Sequence, residues 1–146
     1  MRELVLKLVT SDSKHFDGAI LFLRLFVGCM MLTHGMAKLF SFSALANTFP
    51  DPLGVGPTFS LVLILLAEVG CSCLLILGLL TRLAVLPLMF GMLMAFFVIH
   101  RTEPFTGREL PLLYLGMYVT LLWCGAGKYA LDEWIRRKII RRSQVR

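Results

Sequence analysis

The amino-acid sequence predicts an all-α fold, an integral membrane four-helix bundle with short amphipathic terminal helices. Hydrophobic residues make up 58% of the 146 residues, whereas a soluble domain averages about 45–50% apolar residues. Residues 83–99 and 110–127 contain no charged side chain at all. A helix that crosses a bilayer needs roughly 20 mostly apolar residues, and the sequence supplies four such stretches, at residues 18–40, 58–81, 83–101 and 110–127. We therefore expect a single membrane domain over residues 1–146, without a separate catalytic module.

The first apolar stretch also has features of a secretory signal peptide, because basic residues precede it and Ala44-Leu45-Ala46 follow it. However, the apolar core of a signal peptide is usually about 7–15 residues long. The stretch from 18 to 40 is longer, and Lys38 lies close to the supposed cleavage site. We expect it to be retained as the first span.

The basic residues predict the orientation of the chain in the membrane. The opposite loops hold only Arg101 and Arg108, and the first span holds Arg24 and Lys38. The other basic residues all fall on one side of the four predicted spans: Arg2, Lys7, Lys14, Arg82, Lys128, Arg136, Arg137, Lys138, Arg141, Arg142 and Arg146. Cytoplasmic loops are enriched in Lys and Arg, so we expect a multi-pass protein of the plasma (inner) membrane with both termini cytoplasmic. This topology accounts for the net charge of +6 without a nucleic-acid partner, which would need a basic surface with its own fold.

Amphipathic segments flank the spans. Val5, Leu8 and Val9 predict a short interfacial helix before the first span. Residues 128–146 form a basic tail in which apolar residues such as Trp134 and Ile139 recur at helical spacing. Such a helix lies on an anionic bilayer surface, so the lipid bilayer is the first expected partner.

Ionisable residues inside spans cost about 2.5–3.5 kcal/mol each on insertion scales, and they are therefore the candidate site residues. Arg24, His34 and Lys38 share one face of the first span at 100° per residue. Glu68 is the acid of the second span and the natural partner of Arg24 or Lys38. The candidate ligand-binding or proton-handling residues are Arg24, His34, Lys38, Glu68, His100 and Glu109.

Three interpretations of these residues stay open at the sequence level. In the first, Arg24–Glu68 and Lys38–Glu109 are ion pairs that only fix helix register. In the second, the residues line a pocket for a polar headgroup or a quinone, with the histidines carrying protons. In the third, His34 and His100 ligate a haem or a metal. No metal site is predicted, and no cofactor is evident from the sequence, with quinone as the candidate.

The four cysteines do not form a redox motif. Cys71 and Cys73 are two residues apart, about 200° around a helix, and no C-x-x-C occurs in the sequence. Thiol–disulfide chemistry needs an accessible, activated thiolate, so we expect small buried packing residues. The methionines near His34 and in the third span are likewise expected to fill the core.

The sequence resembles the DoxX family of small membrane proteins with four transmembrane helices. The resemblance covers residues 18 to 132 and includes His100 and Glu109. It rests on these segments, in order: LRL at 23–25, THGMAKLF at 33–40, AEVG at 67–70, GLLTR at 78–82 and GAGKYALD at 125–132. The resemblance implies an association with quinone-linked electron transfer. It also implies that the six candidate residues lie at the site.

Three functions follow as hypotheses. The first is a redox-associated subunit that binds a quinone and acts with a partner protein, or as a homo-oligomer. Since no flavin, iron–sulfur or haem signature is present, enzymatic activity is expected only as part of a quinone-linked oxidoreductase complex. The second is a non-enzymatic membrane scaffold or assembly factor, and the third is a small-solute transporter, although many transporters use paired repeats.

Overall fold

The computed structural model describes the backbone of residues 13–143 and the side chains of residues 16–140. The interfacial helix predicted around Val5 and the last residues of the basic tail lie outside these ranges. The described chain is helical and contains no β-strand. Its helices are α1 Ser13–Phe40, α2 Phe42–Leu45, α3 Pro57–Leu65, α4 Ser72–Leu77, α5 Thr81–Met94, α6 Phe105–Cys124 and α7 Leu131–Ser143.

Two π-helical segments interrupt the regular helices. The first, Leu66–Cys71, joins α3 to α4, and the second, Ala95–Ile99, continues α5. Each joins flanking helix without a loop, so α3 to α4 forms one rod from Pro57 to Leu77. A π turn inserts an extra residue per turn and is frequent at functional sites.

Four long helical units pack as a bundle. The unit α1 contacts the α3–α4 rod and α6, and α5 contacts both the rod and α6. The side chains that fill the centre are almost completely excluded from the surface: Val27, Met31, Leu61, Leu75, Val85, Leu88, Tyr118 and Leu121. The predicted all-α membrane bundle is therefore confirmed.

The outer surface of the bundle is apolar. Soluble monomers rarely expose large contiguous apolar patches, whereas large apolar side chains from every long unit are exposed here: Phe22, Phe26, Leu66, Leu77, Leu83, Phe90, Phe97, Leu113 and Trp123. Among the described residues, three helical stretches are long and apolar enough to cross a membrane, namely Phe16–Phe40, Pro57–Leu77 and Thr81–Ile99. They match the first three predicted spans. The helix α6 begins before the predicted range 110–127 and includes Arg108 and Glu109, so its role as the fourth span stays a prediction.

The bundle has two different ends. At one end, α4 ends at Gly78 in a left-handed conformation with a φ of 71°, and a tight turn leads into α5. This end also carries residues 125–130 and is called the Arg24 end below. At the other end, residues 46–56 form a loop between α2 and α3, and residues 100–104 connect to α6. We call it the Lys38 end.

The loop at the Lys38 end is organised around Asp51. Its carboxylate accepts hydrogen bonds from the Ser60 hydroxyl at 2.7 Å and from the backbone N–H groups of Val55 and Gly56 at 3.0 and 2.7 Å. The Ser60 hydrogen bond is the main reason why the pKa of Asp51 lies below its usual value. The carboxylate thus fastens the loop to the first turn of α3.

We expect this contribution to depend on pH. Because the pKa of Asp51 is lowered on folding, its stabilisation is fully present above the unfolded value of 3.8 and is lost as the pH falls through the folded value. The melting temperature of Asp51→Asn should therefore lie below that of the natural protein at pH 6. The difference should shrink when both are measured below pH 3.8. A difference that is the same at both pH values would contradict this assignment.

Candidate functional site

A cavity of about 280 Å³ opens inside the bundle at the Lys38 end. Four of the six residues predicted for the site line it, namely His34, Lys38, Glu68 and His100. Tyr114 of α6 closes the opposite wall. One site is thus formed by side chains from α1, the first π segment, α6 and the residue that follows the second π segment. We call it the polar cavity.

The centre of the site is an ion pair between Lys38 and Glu68. The Lys38 ammonium donates to both carboxylate oxygens of Glu68, at 2.8 and 2.6 Å. The Glu68 side chain is only 5% exposed, whereas that of Lys38 is 27% exposed and faces the cavity. A buried carboxylate is costly unless it is paired and hydrogen-bonded, and Lys38 provides this pairing.

His34 lies one turn before Lys38 on the same face of α1, as i and i+4 residues do. Its ring meets the Tyr114 ring edge to face, with centroids 5.9 Å apart, and Tyr114 in turn stacks on Tyr118. His34 makes no hydrogen bond to another described residue. Its ring nitrogens are therefore available to a ligand in the cavity.

His100 enters the cavity from the end of the second π segment. Its Nδ1 lies 2.8 Å from Oε1 of Glu103, so a hydrogen bond joins the imidazole ring to this exposed carboxylate. Glu103 was not among the predicted site residues, although its i+3 spacing from His100 is visible in the sequence. Glu109 is exposed on α6 and does not line the polar cavity.

Arg24 lies at the opposite end of the bundle. It is 14 residues before Lys38, which corresponds to about 21 Å along a helix. Its side chain is 1% exposed, and the guanidinium donates to the backbone carbonyls of Ala126 at 2.5 Å and Tyr129 at 3.1 Å. Arg24 therefore holds residues 125–130 against the bundle.

The ion pairs suggested by the first interpretation of the sequence are wrong. Lys38 pairs with Glu68 and not with Glu109, and Arg24 binds backbone carbonyls instead of Glu68. The reason is depth, because Glu68 lies level with Lys38, far along the bundle axis from Arg24. The structure brings His34, Lys38, Glu68 and His100 together and leaves Arg24 and Glu109 apart. The role of all six in ligand binding stays a prediction.

Gly35 allows α1 to approach the first π segment next to the ion pair. A Cβ atom at this position would lie 2.8 Å from Cγ2 of Val69 and 3.0 Å from Cβ of Glu68. The first distance is shorter than real Cβ contacts, the second is tighter than most of them, and the backbone carbon of Glu68 follows at 3.1 Å. The absence of a side chain at Gly35 thus sets the distance between Lys38 and Glu68.

Gly35→Ala is expected to lower the free energy of unfolding by about 1–3 kcal/mol, the usual cost of overpacking a tight contact. Gly116→Ala is the matched control, because a Cβ on Gly116 of α6 meets nothing within 4 Å. This control should be neutral or stabilising by up to about 1 kcal/mol. Denaturant unfolding of both variants in the same detergent measures the difference, and equal effects would refute the close-approach explanation.

The cysteines occupy less protected positions than the sequence suggested. Cys29 and Cys73 are exposed on the bundle surface, contrary to the expectation of buried packing residues, while Cys71 and Cys124 are half-buried against the core. All four are free. Cys71 and Cys73 lie on different faces, which agrees with their expected 200° separation.

Comparison with known proteins agrees with this architecture. The chain is 30% identical to an uncharacterized membrane protein of Mycobacterium tuberculosis, over 85% of this chain and 86% of that protein. It is 37% identical to an uncharacterized protein of Haemophilus influenzae, over 80% of this chain and 90% of that protein. No solved structure matches the chain. The DoxX family profile matches residues 19–101, which is more than half of the sequence and includes His34, Lys38, Glu68 and His100. The chain belongs to the DoxX family of membrane proteins.

Proposed function

We propose that the protein binds the ring of a quinone in the polar cavity and acts as a redox-associated subunit beside a partner that supplies electrons. The observation that carries this proposal is the Lys38–Glu68 ion pair on the wall of a cavity that His34, His100 and Tyr114 also line. Ligand sites are concave, mostly apolar and equipped with a few convergent polar groups, and this cavity has that composition.

The lining residues suit a quinone ring. A quinone presents two carbonyl oxygens, which accept hydrogen bonds, and a flat apolar ring. Lys38 Nζ, a ring nitrogen of His34 and the Tyr114 hydroxyl are donors on the cavity wall, and aromatic and aliphatic side chains such as Tyr114 and Met31 surround them. The donors therefore match the carbonyl oxygens of a quinone, and the apolar walls match its flat ring.

The chemistry that a bound quinone would supply is its two-electron, two-proton conversion to the quinol. His100 holds a proton on Nδ1 toward Glu103, and its Nε2 can exchange a proton with the cavity. Glu103 is 47% exposed, so the His100–Glu103 pair connects the cavity with solvent. Lys38 stays fixed on Glu68 and orients the ligand through its remaining N–H.

The binding experiment uses purified protein and decylubiquinone. The natural protein should bind it with a micromolar Kd, and His34→Ala should weaken binding about five- to tenfold, since removing one good hydrogen bond typically costs about 1–1.5 kcal/mol. Thr33→Ala is the control, because the Thr33 side chain faces away and bonds only Met30 O. Equal binding by His34→Ala and the natural protein, or no binding by either, would overturn the proposal.

We also propose that the protein lies in the plasma (inner) membrane with both termini cytoplasmic, so that the polar cavity faces the outer half of the bilayer. The support is that Arg82, Lys128 and the basic face of α7 all lie at the Arg24 end, as the preference of basic residues for the cytoplasmic side requires. A reporter enzyme that is active only in the cytoplasm should be active when it is fused after residue 146. A reporter that is active only outside the cytoplasm should be inactive at the same position.

A second function, a non-enzymatic assembly factor, is favoured by α7. This helix exposes Trp134 and Ile139 together with a basic face, and Arg24 fixes the segment before it. If a stoichiometric partner copurifies and is lost when residues 131–146 are deleted, while quinone binding is absent, the assembly role is the better description.

A further inference from the structure

A second cavity, almost entirely apolar, lies directly beside the polar cavity. Its volume is about 300 Å³, and we call it the apolar slot. Leu63 of α3, with Phe90 and Met94 of α5, lines it. The wall that it shares with the polar cavity consists of Phe49, Pro50, Ile64, Gly91 and Ile99.

The shared wall is thin at Gly91. A Cβ atom there would lie 2.9 Å from Cδ1 of Ile64, so Gly91 and the end of one flexible side chain mark the boundary between the two cavities. Gly91 and Ile64 line both cavities. The two cavities therefore adjoin, with the polar groups on one side of the shared wall and the apolar groups on the other.

The apolar slot is open toward the side of the bundle. Leu63 is 39% exposed and Phe90 is 48% exposed. They belong to two neighbouring membrane-spanning stretches, Pro57–Leu77 and Thr81–Ile99, so the opening lies between two spans. Its polar member Ser60 is already bound to Asp51, which leaves an apolar channel.

We infer that the apolar slot holds the isoprenoid chain of the ligand whose ring lies in the polar cavity. The ligand class is thus a membrane-soluble quinone that enters sideways between α3 and α5, and not a small water-soluble quinone. This inference rests on the proposed function. It is carried by the wall that the two cavities share at Gly91 and Ile64 and by the separation of polar groups on one side from apolar groups on the other.

The experiment compares two probes, decylubiquinone and the same benzoquinone ring without a side chain, on protein in detergent micelles. Leu63→Trp fills the apolar slot without touching the polar cavity. Leu66→Trp is the matched control, because Leu66 is 63% exposed and lines neither cavity. The control also corrects for partition of the longer probe into the micelle.

The natural protein and Leu66→Trp should bind decylubiquinone at least about tenfold more tightly than the bare ring, since each buried methylene favours binding. Leu63→Trp should reduce this ratio to about one and change the Kd of the bare ring less than twofold. A ratio unaffected by Leu63→Trp would overturn the inference while ring binding still supports the proposed function. Equal competition by a phosphatidylglycerol would identify the slot as a general lipid groove and also overturn it. Binding of neither probe would overturn both.

Discussion

Replacing Lys38 with methionine is expected to lower the free energy of unfolding by about 3–5 kcal/mol, because it leaves a buried carboxylate without its partner. Glu68 is 5% exposed and its oxygens accept from Lys38 alone among the described residues. Glu68→Gln should cost less, since the freed Lys38 ammonium is 27% exposed and can reach water. Lys38→Met should therefore lower the free energy of unfolding more than Glu68→Gln does.

A double-mutant cycle measures the interaction energy between Lys38 and Glu68 separately from their contacts with other residues. Lys38→Met combined with Glu68→Leu should recover most of the loss, since apolar side chains of similar volume often replace a buried ion pair without penalty. Reversible denaturant unfolding in one detergent measures the natural protein, Lys38→Met, Glu68→Leu and the double variant, which together close the cycle. Glu133→Gln, which weakens the two ion pairs of Glu133 with the exposed Arg136 and Arg137 on α7, is the control with a small effect. If Lys38→Met were as mild as this control, the buried pair would not hold the site together.

Arg24→Met is expected to lower the free energy of unfolding by about 2–4 kcal/mol, because it leaves two backbone carbonyls without their charged donor. Nη1 of the guanidinium donates to the Ala126 carbonyl, and Nη2 donates to the Tyr129 carbonyl. Arg24→Lys should not restore stability, since an ammonium lacks that planar geometry. The effect should be concentrated in residues 125–132.

Local unfolding provides the second measurement for Arg24. The Asp132 N–H donates to Gly78 O at 3.1 Å and lies two residues after the segment that Arg24 holds. Its hydrogen exchange should accelerate in Arg24→Met and stay unchanged in Arg101→Gln, an exposed arginine at the opposite end of the bundle. Unchanged protection of Asp132 in Arg24→Met would show that Arg24 does not fix this segment.

The sequence was sufficient to predict the helical membrane bundle, and its first three apolar stretches coincide with helices long and apolar enough to cross a membrane. Those predictions depend on long apolar stretches, and the bilayer leaves few alternatives to a helix there. The shared face of His34 and Lys38 was also predictable, because α1 is regular from Ser13 to Phe40 and a constant 100° per residue holds along it. The location of four candidate residues in one cavity follows from that face and from helix direction.

The remaining features depend on interactions that a helical wheel does not contain. The π segments at Leu66–Cys71 and Ala95–Ile99 shift the register of every later residue in the same rod, so faces counted at 100° per residue fail beyond them. The carbonyl partners of Arg24 come from residues 126 and 129, more than 100 positions away. No side-chain pattern predicts backbone acceptors at such a separation. The pairing of Glu68 with Lys38 instead of Arg24 likewise depends on the depth of Glu68, since Lys38 and Arg24 lie about 21 Å apart along α1.

The most direct test of the quinone site is photolabelling with a ubiquinone analogue whose ring carries an azide, followed by peptide mapping. The label should appear on residues that line the polar cavity, in segments 31–38 and 110–114. Excess decylubiquinone should suppress it, and Lys38→Met should weaken it. Label that is confined to lipid-facing positions such as Phe22 and Trp123, or that resists competition, would contradict a quinone site at the Lys38–Glu68 pair.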